Sequence, residues 1–296
     1  MKKILTLICC AFVASAASAQ VDSAQLLKDV ETLSADKFMG RLTGSKGNRL
    51  AQFYLLDRFK QAGIQPMSGT YEQSFYFTRG TERIMGTNLY GYIPGKSDSV
   101  IVISAHYDHV GTRQAAGVAD SIYNGADDNA SGVAAILGIA AWFAKHPPKY
   151  TLIFAAFDAE EMGLQGAKAF VARPPVPLAK IVANINLDMV SRNDKNELYA
   201  CGTFHYPQLK PYITAAAATS KIKLLTGHDN AGTGAQDWTS QSDQGAFHAQ
   251  KIPFIYFGVE DHPDYHRPSD EFSRIQPSFF YQAANTVLEV VRQMDK

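Results

Sequence analysis

The sequence predicts an α/β fold, a three-layer αβα sandwich around a mostly parallel, mixed central sheet. Four runs are apolar on both faces, which is typical of strands covered by helices on either side: residues 99–105, 151–157, 181–187 and 252–259. Segments with helical periodicity lie between and around these runs, so strands and helices alternate along the chain. With 296 residues, 46% of them hydrophobic, the chain is long enough to bury a large core.

The first 19 residues have the layout of a secretory signal peptide. Two lysines precede an apolar stretch, and "ASA" before Gln20 provides a cleavage site after Ala19. The apolar stretch is shorter than the roughly 20 residues that a membrane-spanning helix requires, which disfavours an uncleaved anchor. We therefore expect an exported protein, periplasmic or secreted, without attachment to a membrane.

Charge and cysteine content narrow the function classes. The chain has 28 basic and 28 acidic residues, so loss of Lys2 and Lys3 with the signal leaves 26 against 28. No basic patch is present, which argues against nucleic acid as a partner. Two of the three cysteines lie in the signal, so Cys201 remains alone and no internal disulfide is expected.

The remaining elements follow from periodicity and turn residues. Residues 22–38 and 44–64 have helical spacing behind Asp or Ser caps, and residues 71–77 and 86–93 alternate as strands do. The apolar segment 129–146 predicts a buried helix, and residues 277–294 predict an amphipathic C-terminal helix. No repeat or linker divides the chain, so a single domain over residues 20–296 is expected.

Each buried strand ends near side chains that can bind a metal. His106 and Asp108 follow the first strand, "DAEE" at 158–161 the second and Asp188 the third, and His266 lies beyond the fourth. The carboxyl ends of parallel strands meet at one edge of the sheet, where ligands bind. Carboxylates crowded there need a cation, and imidazole together with carboxylate favours zinc, with manganese and cobalt as alternatives. The candidate ligands exceed what one zinc takes, so two metals fit better.

Five motifs occur in one order along the chain: "SAHYDHVG", "GADDNASG", "DAEEMG", "NLDM" and "YHRPSD". In this order they resemble the secreted di-zinc aminopeptidase family, whose relatives include glutamate carboxypeptidase and glutaminyl cyclase. The resemblance covers nearly the whole mature chain. It implies a zinc-peptidase catalytic domain that binds two Zn²⁺ per chain and removes the N-terminal residue of peptides with a free N-terminus. We expect this domain to act as a monomer.

The resemblance also implies which residues bind the metals. Asp128 would bridge both ions, His106 and Asp188 would complete one site, and Glu161 and His266 the other. Asp108 would accept the imidazole N–H of the first histidine and so orient it. Three neighbouring residues are not expected to be ligands: Asp127, His109 and His262.

Glu160 would act as general base toward a water bound by the two metals, because a carboxylate that binds no metal must still take the proton and pass it to the leaving amine. Tyr265 matches a position that offers a phenol to the oxyanion, with simple aromatic packing as the alternative. Glu160 and Asp188 would also hold the free α-amino group. Asp243 would support the metal ligands without binding a metal itself. Gln244 replaces a histidine common in relatives, and this change is expected to alter the shape of the substrate pocket.

Three alternatives stay open from the sequence. A glutaminyl cyclase-like acyltransferase would use a single zinc, and a carboxypeptidase of the same fold would need a basic site for the substrate carboxylate. A binding module that has lost its ligands is disfavoured because every ligand position is filled.

Overall fold

The computed structural model of the protein describes residues 20–114 and 120–296. The predicted signal peptide at 1–19 lies outside these ranges. Within them, none of the helices combines the length and the apolar character that a membrane crossing requires.

Two helices open the described chain, as the sequence predicts. Helix α1 (Ser23–Leu33) begins where the carboxylate of Asp22 accepts hydrogen bonds from the N–H groups of Ala24 and Gln25. It ends before residue 38, and a short turn over Asp36–Arg41 leads to α2 (Lys46–Gln61), which Ser45 caps. The helical prediction is therefore confirmed, with a break that the periodicity did not indicate.

Nine strands of the described chain form one sheet. Their bounds are β1 Gln65–Pro66, β2 Glu72–Arg79, β3 Glu82–Ile93, β4 Ser97–His106, β7 Tyr150–Phe157, β8 Ile181–Leu187, β9 Glu197–Cys201, β10 Lys223–Thr226 and β11 Phe254–Gly258. The strand order is β1-β3-β7-β4-β8-β11-β9-β10, and β2 pairs with β3. The remaining strands, β5 (Gly111–Thr112) and β6 (Ile122–Tyr123), pair only with each other.

Parallel pairing joins the four strands predicted to be buried, β7, β4, β8 and β11. Antiparallel strands flank them on both sides, since β3 pairs with β7 and β9 pairs with β11. The sheet is therefore mixed, with a parallel centre, as the fold class predicted. The outer strands β9 and β10 were not predicted.

Helices cover both faces of the sheet. Alternate residues of β4 enter different apolar clusters: Ile101 and Ile103 pack with α1, α2 and α7 (Pro277–Met294), whereas Val100 and Val102 pack on the opposite side. The other helices are α3 Gly132–Phe143, α4 Gln165–Ala172, α5 Lys210–Ala217 and α6 Gln244–Ala249. Helix α3 is buried almost all round, which explains its apolar composition.

The three-layer arrangement places the candidate residues at one edge. Strand β4 ends at His106, β7 ends one residue before Asp158, and β8 ends one residue before Asp188. Because these strands are parallel neighbours of one another and of β11, their carboxyl ends converge.

A buried arginine ties the loops at this edge together. The guanidinium of Arg41 donates to four backbone carbonyls, those of Leu33, Tyr107, Asn124 and Gly125, at 2.6–2.9 Å. Tyr107 follows His106, and Gly125 precedes the turn that carries Asp128. Burial lowers the pKa of Arg41 to about 10, although the nearby acids, Asp128 first among them, oppose this shift. The side chain therefore holds the N-terminal region against two loops of the candidate site.

Replacing Arg41 by methionine should destabilise the protein strongly. The R41M variant keeps the apolar stem but removes the Arg41 hydrogen bonds to four buried carbonyls, at a cost of about 3 kcal/mol or more. The matched control is R49M, because Arg49 makes an exposed ion pair with Glu72 worth about 1 kcal/mol or less. Urea unfolding of both variants measures the difference, and equal losses would show that the Arg41 contacts do not contribute.

Candidate metal centre

One group of possible ligands surrounds His106 at the end of β4 and comprises His106, Asp128 and Asp188. The Nε2 atom of His106 lies 3.3 Å from a carboxylate oxygen of Asp128 and 3.3 Å from one of Asp188. Its Nδ1 lies 3.1 Å from the backbone carbonyl of Asp108. Donation of the Nδ1 hydrogen to that carbonyl leaves the Nε2 lone pair facing the two acids, the tautomer that a metal ligand needs.

A second group comprises His109, Asp128, Glu161 and His266. The Nε2 atom of His266 lies 3.1 Å from Oδ2 of Asp128 and 3.2 Å from Oε1 of Glu161. Asp128 thus offers Oδ1 to the first group and Oδ2 to the second. All five residues that the sequence analysis proposed as ligands fall within the two groups, and His109, which it set aside, lies in the second.

The two groups fit zinc by donor type and by spacing. Nitrogen and oxygen donors about 2.0–2.1 Å from a tetrahedral ion lie about 3.3 Å from one another. The separations of 3.1–3.3 Å around His106 and His266 agree with that value. Their three carboxylates also carry more negative charge than their neutral imidazoles balance, which favours a bound cation.

Asp128 lies on an irregular turn over Ala126–Ser131, in which the Asp128–Asn129 peptide bond is cis. The Asn129 amide donates to the carbonyl of Leu187 and accepts from the N–H groups of Gly132 and Met189. These bonds fix the turn to the end of β8, where Asp188 begins the next loop. Asn129 therefore sets the distance between the two acids.

Asp127 points away from both groups. Its Oδ1 accepts from the N–H and the hydroxyl of Ser191, each at 2.7 Å, and its Oδ2 lies 3.1 Å from Nε2 of His262. The Asp270 carboxylate accepts from the N–H groups of Asp127 and Asp128. Asp127 and His262 thus fasten the loop that carries His266, and neither belongs to the two groups of possible ligands.

Asp108 acts differently from the role implied by the resemblance. Its carboxylate is 3.7 Å from Nδ1 of His106, farther than its own backbone carbonyl. The carboxylate instead accepts from the N–H groups of Glu160 and Glu161, at 3.0 and 3.3 Å. Asp108 therefore orients the two adjacent glutamates as well as the histidine, a contact that no sequence pattern indicated.

Glu160 and Tyr265 lie in the cleft beside the two groups. Burial, opposed by His106 and reinforced by Asp188 and Asp243, raises the pKa of Glu160 well above its usual value. Burial and the surrounding acids also raise the pKa of the Tyr265 phenol, which stays a hydrogen-bond donor. In Glu161, burial and Asp128 raise the pKa, but hydrogen bonds from the histidines prevail and lower it to about 2. The two adjacent glutamates therefore differ in proton affinity.

Asp243 and Gln244 lie behind the cleft. Both carboxylate oxygens of Asp243 are buried and have no hydrogen-bond partner among the described residues, and burial first, then Asp108 and Asp188, raise its pKa to about 8. Gln244 accepts from the amide of Asn186 and donates to the carbonyl of Trp238. Trp238 lines the cleft, so Gln244 acts on the pocket by holding this wall.

Asp158, the first acid of "DAEE", supports the framework. It accepts from Thr43, Asn48 and the N–H of Thr87, which joins the strand end to α2 and β3. It belongs to neither group of possible ligands. The three acids of this stretch therefore differ: Asp158 is structural, Glu160 lines the cleft, and Glu161 belongs to the second ligand group.

Comparison with known proteins identifies the family of the chain. Residues 88–291 match the sequence profile described as "Peptidase family M28", and the chain belongs to that family. It is 29% identical over 171 residues to the "Alkaline phosphatase isozyme conversion protein" of Escherichia coli (strain K12), covering 53% of this chain and 49% of that protein. It is 29% identical over 245 residues to "Aminopeptidase YwaD" of Bacillus subtilis (strain 168), covering 80% of this chain and 50% of that protein. The chain thus spans about half the length of these relatives.

Solved structures share the fold at low identity. A zinc aminopeptidase from Bacillus subtilis aligns with a TM-score of 0.73 at 18% identity, covering 94% of this chain and 96% of that one. The Porphyromonas gingivalis glutaminyl cyclase aligns with a TM-score of 0.77 at 19% identity, covering 93% of this chain and 99% of that one. Both enzyme classes therefore have this fold, and the side chains of the site must distinguish them.

Metal-free protein should lose stability as the pH rises from about 4 to about 7. Burial and Asp108 raise the pKa of Asp158 to about 7, and burial and Asp127 raise that of Asp270 to about 7. Each carboxyl group binds its proton more tightly in the folded than in the unfolded chain, so ionisation across this window favours unfolding. Calorimetry of protein freed of metal with a chelator should show a Tm that falls as the pH rises from about 4 to about 7.

The variant D158N provides the control, because its amide does not ionise. The D158N substitution should lower the Tm at acidic pH, and the Tm of this variant should change less with pH than that of the wild type. A Tm that rises across the window in metal-free wild type would contradict the raised pKa values.

Proposed function

We propose that the protein is a zinc-dependent aminopeptidase with two co-catalytic metal sites that share Asp128. The observation that carries the proposal is the pair of ligand groups on opposite oxygens of this one carboxylate. His106 and Asp188 would hold one zinc, and Glu161 and His266 the other. When bound, the ions would lower the pKa of a water and polarise the carbonyl of the scissile peptide.

Glu160 would move the proton. It belongs to neither ligand group, lies in the same cleft, and has a raised pKa, which suits a base that must also return its proton. The Glu160 carboxylate would take a proton from the attacking water and give it to the leaving amine. Asp108 supports this role because it fixes the backbone of the adjacent glutamates.

The charge of the cleft favours a substrate amine over a substrate carboxylate. The described residues that line it include acids and no lysine or arginine: Asp128, Glu160, Asp188 and Asp261. A free α-amino group would meet Glu160 and Asp188, whereas a C-terminal carboxylate would meet like charge. This favours an aminopeptidase over a carboxypeptidase.

The remaining walls suggest how the substrate is held. Tyr265 would donate its phenol hydrogen to the oxygen that becomes negative in the transition state. Met189, Trp238 and Val259 form an apolar surface beside the polar groups, which suits an apolar N-terminal side chain. With the predicted signal peptide, the enzyme would act on peptides outside the cytoplasm.

The variant E160Q tests the mechanism. Replacing the carboxylate by an isosteric amide removes the proton acceptor but no metal ligand, so kcat on an aminoacyl anilide should fall about 10²–10⁴-fold with zinc content unchanged. E31Q, on the exposed side of α1, is the matched control and should retain wild-type kcat. Wild-type kcat in E160Q would refute its role as base.

The same preparations separate the enzyme classes. The wild type should release N-terminal residues from peptides, lose this activity with a chelator and regain it with zinc. Cyclisation of an N-terminal glutamine peptide in place of hydrolysis would instead identify a glutaminyl cyclase.

A further inference from the structure

His109 is a fully buried histidine in the second ligand group with no role in the proposed mechanism. Its Nδ1 lies 2.7 Å from Oε1 of Glu161 and 3.7 Å from Oδ2 of Asp128. The ring packs against Gly125, where an added Cβ would come within 2.6 Å of Cδ2. The ring is therefore held in place with Nδ1 toward the acids.

Two roles are compatible with this position. The Nδ1 lone pair could bind a cation directly, which would make His109 a fourth protein ligand beside Asp128, Glu161 and His266. Alternatively, Nδ1 could carry a hydrogen and donate it to the Glu161 carboxylate. The first role requires the hydrogen on Nε2, and the second leaves Nε2 without one.

The surroundings of Nε2 distinguish the two roles. This atom is buried and has no hydrogen-bond partner among residues 20–114 and 120–296. A histidine that binds metal nearly always donates its other N–H to an acceptor, as His106 does to the carbonyl of Asp108. Orphaned buried N–H groups are rarer than unsatisfied acceptors. The lack of an acceptor beside Nε2 therefore favours the tautomer with its hydrogen on Nδ1.

The distance to Glu161 agrees with donation. At 2.7 Å, it is typical of an N–H donor bound to a carboxylate. The distance of 3.7 Å to Oδ2 of Asp128 is too long for a second hydrogen bond. A carboxylate oxygen has two lone pairs, so Oε1 can accept this hydrogen and still face a cation.

We infer that His109 is a positioning residue that donates its Nδ1 hydrogen to Glu161 and binds no metal itself. The inference rests on the proposed di-zinc function and deepens it. Three protein ligands, Asp128, Glu161 and His266, then hold the second ion and leave one position open, as catalytic zinc sites require. A fourth histidine ligand would close that position.

Three substitutions test the inference through zinc binding. In H109N the amide nitrogen occupies the place of Nδ1 and can donate to Glu161, but it is a poor zinc ligand. H109A removes the donor, and H109Q places its amide beyond the position of Nδ1. We expect H109A and H109Q to weaken zinc at the second site about 10–100-fold, and H109N to bind within a few-fold of wild type.

The measurements are zinc titration and the visible absorption of protein loaded with Co²⁺, and circular dichroism checks that each variant folds. Unchanged cobalt absorption in H109N supports the inference. The inference would be overturned if H109N bound zinc as weakly as H109A and its cobalt absorption reported a lost ligand. A wild type that binds a single ion would also overturn it. A wild type that binds two ions but cleaves no peptide would refute the proposed function. The role of His109 could still be decided, because its test measures metal binding.

Discussion

Buried negative charge at the carboxyl edge of the sheet is the constraint on which the rest of the structure depends. Seven of the acids there form two kinds, to which Glu160 and Asp243 do not belong. One kind is surrounded by N–H and O–H donors, and comprises Asp108, Asp127, Asp158 and Asp270. The other kind faces Nε2 of His106 or His266 across about 3 Å, and comprises Asp128, Glu161 and Asp188. Donors satisfy the first kind, whereas the second kind needs a cation.

The donor-bound acids explain how loops without regular structure keep the candidate ligands in register. Asp270 and His262 attach the His266 loop at both ends to the turn that carries Asp128. Arg41 also holds this edge together, and all of its bonds go to backbone carbonyls and none to the acids. Its charge thus lies near the carboxylates without occupying their oxygens. The ligand oxygens of Asp128 and Glu161 consequently remain available.

Sequence reasoning predicted the parts of this arrangement that depend on strand direction. Apolar strands of one parallel sheet must end together, so His106, Asp188 and the "DAEE" stretch could be placed at one edge before the structure was known. Contacts between loops carry no such periodicity. The donation from Glu160 and Glu161 to Asp108 depends on turn geometry, and His109 lies past the end of β4, where alternation no longer tells which way a side chain points. Short elements such as α4 and α6 also lack enough residues for a periodic signal.

The most direct test of the central claim is a crystal structure of the zinc-loaded protein with anomalous data collected at the zinc absorption edge. The shared carboxylate predicts two anomalous peaks, both within bonding distance of Asp128, one beside His106 and Asp188 and the other beside Glu161 and His266. A single peak, or two peaks without a common Asp128 ligand, would contradict the di-metal centre.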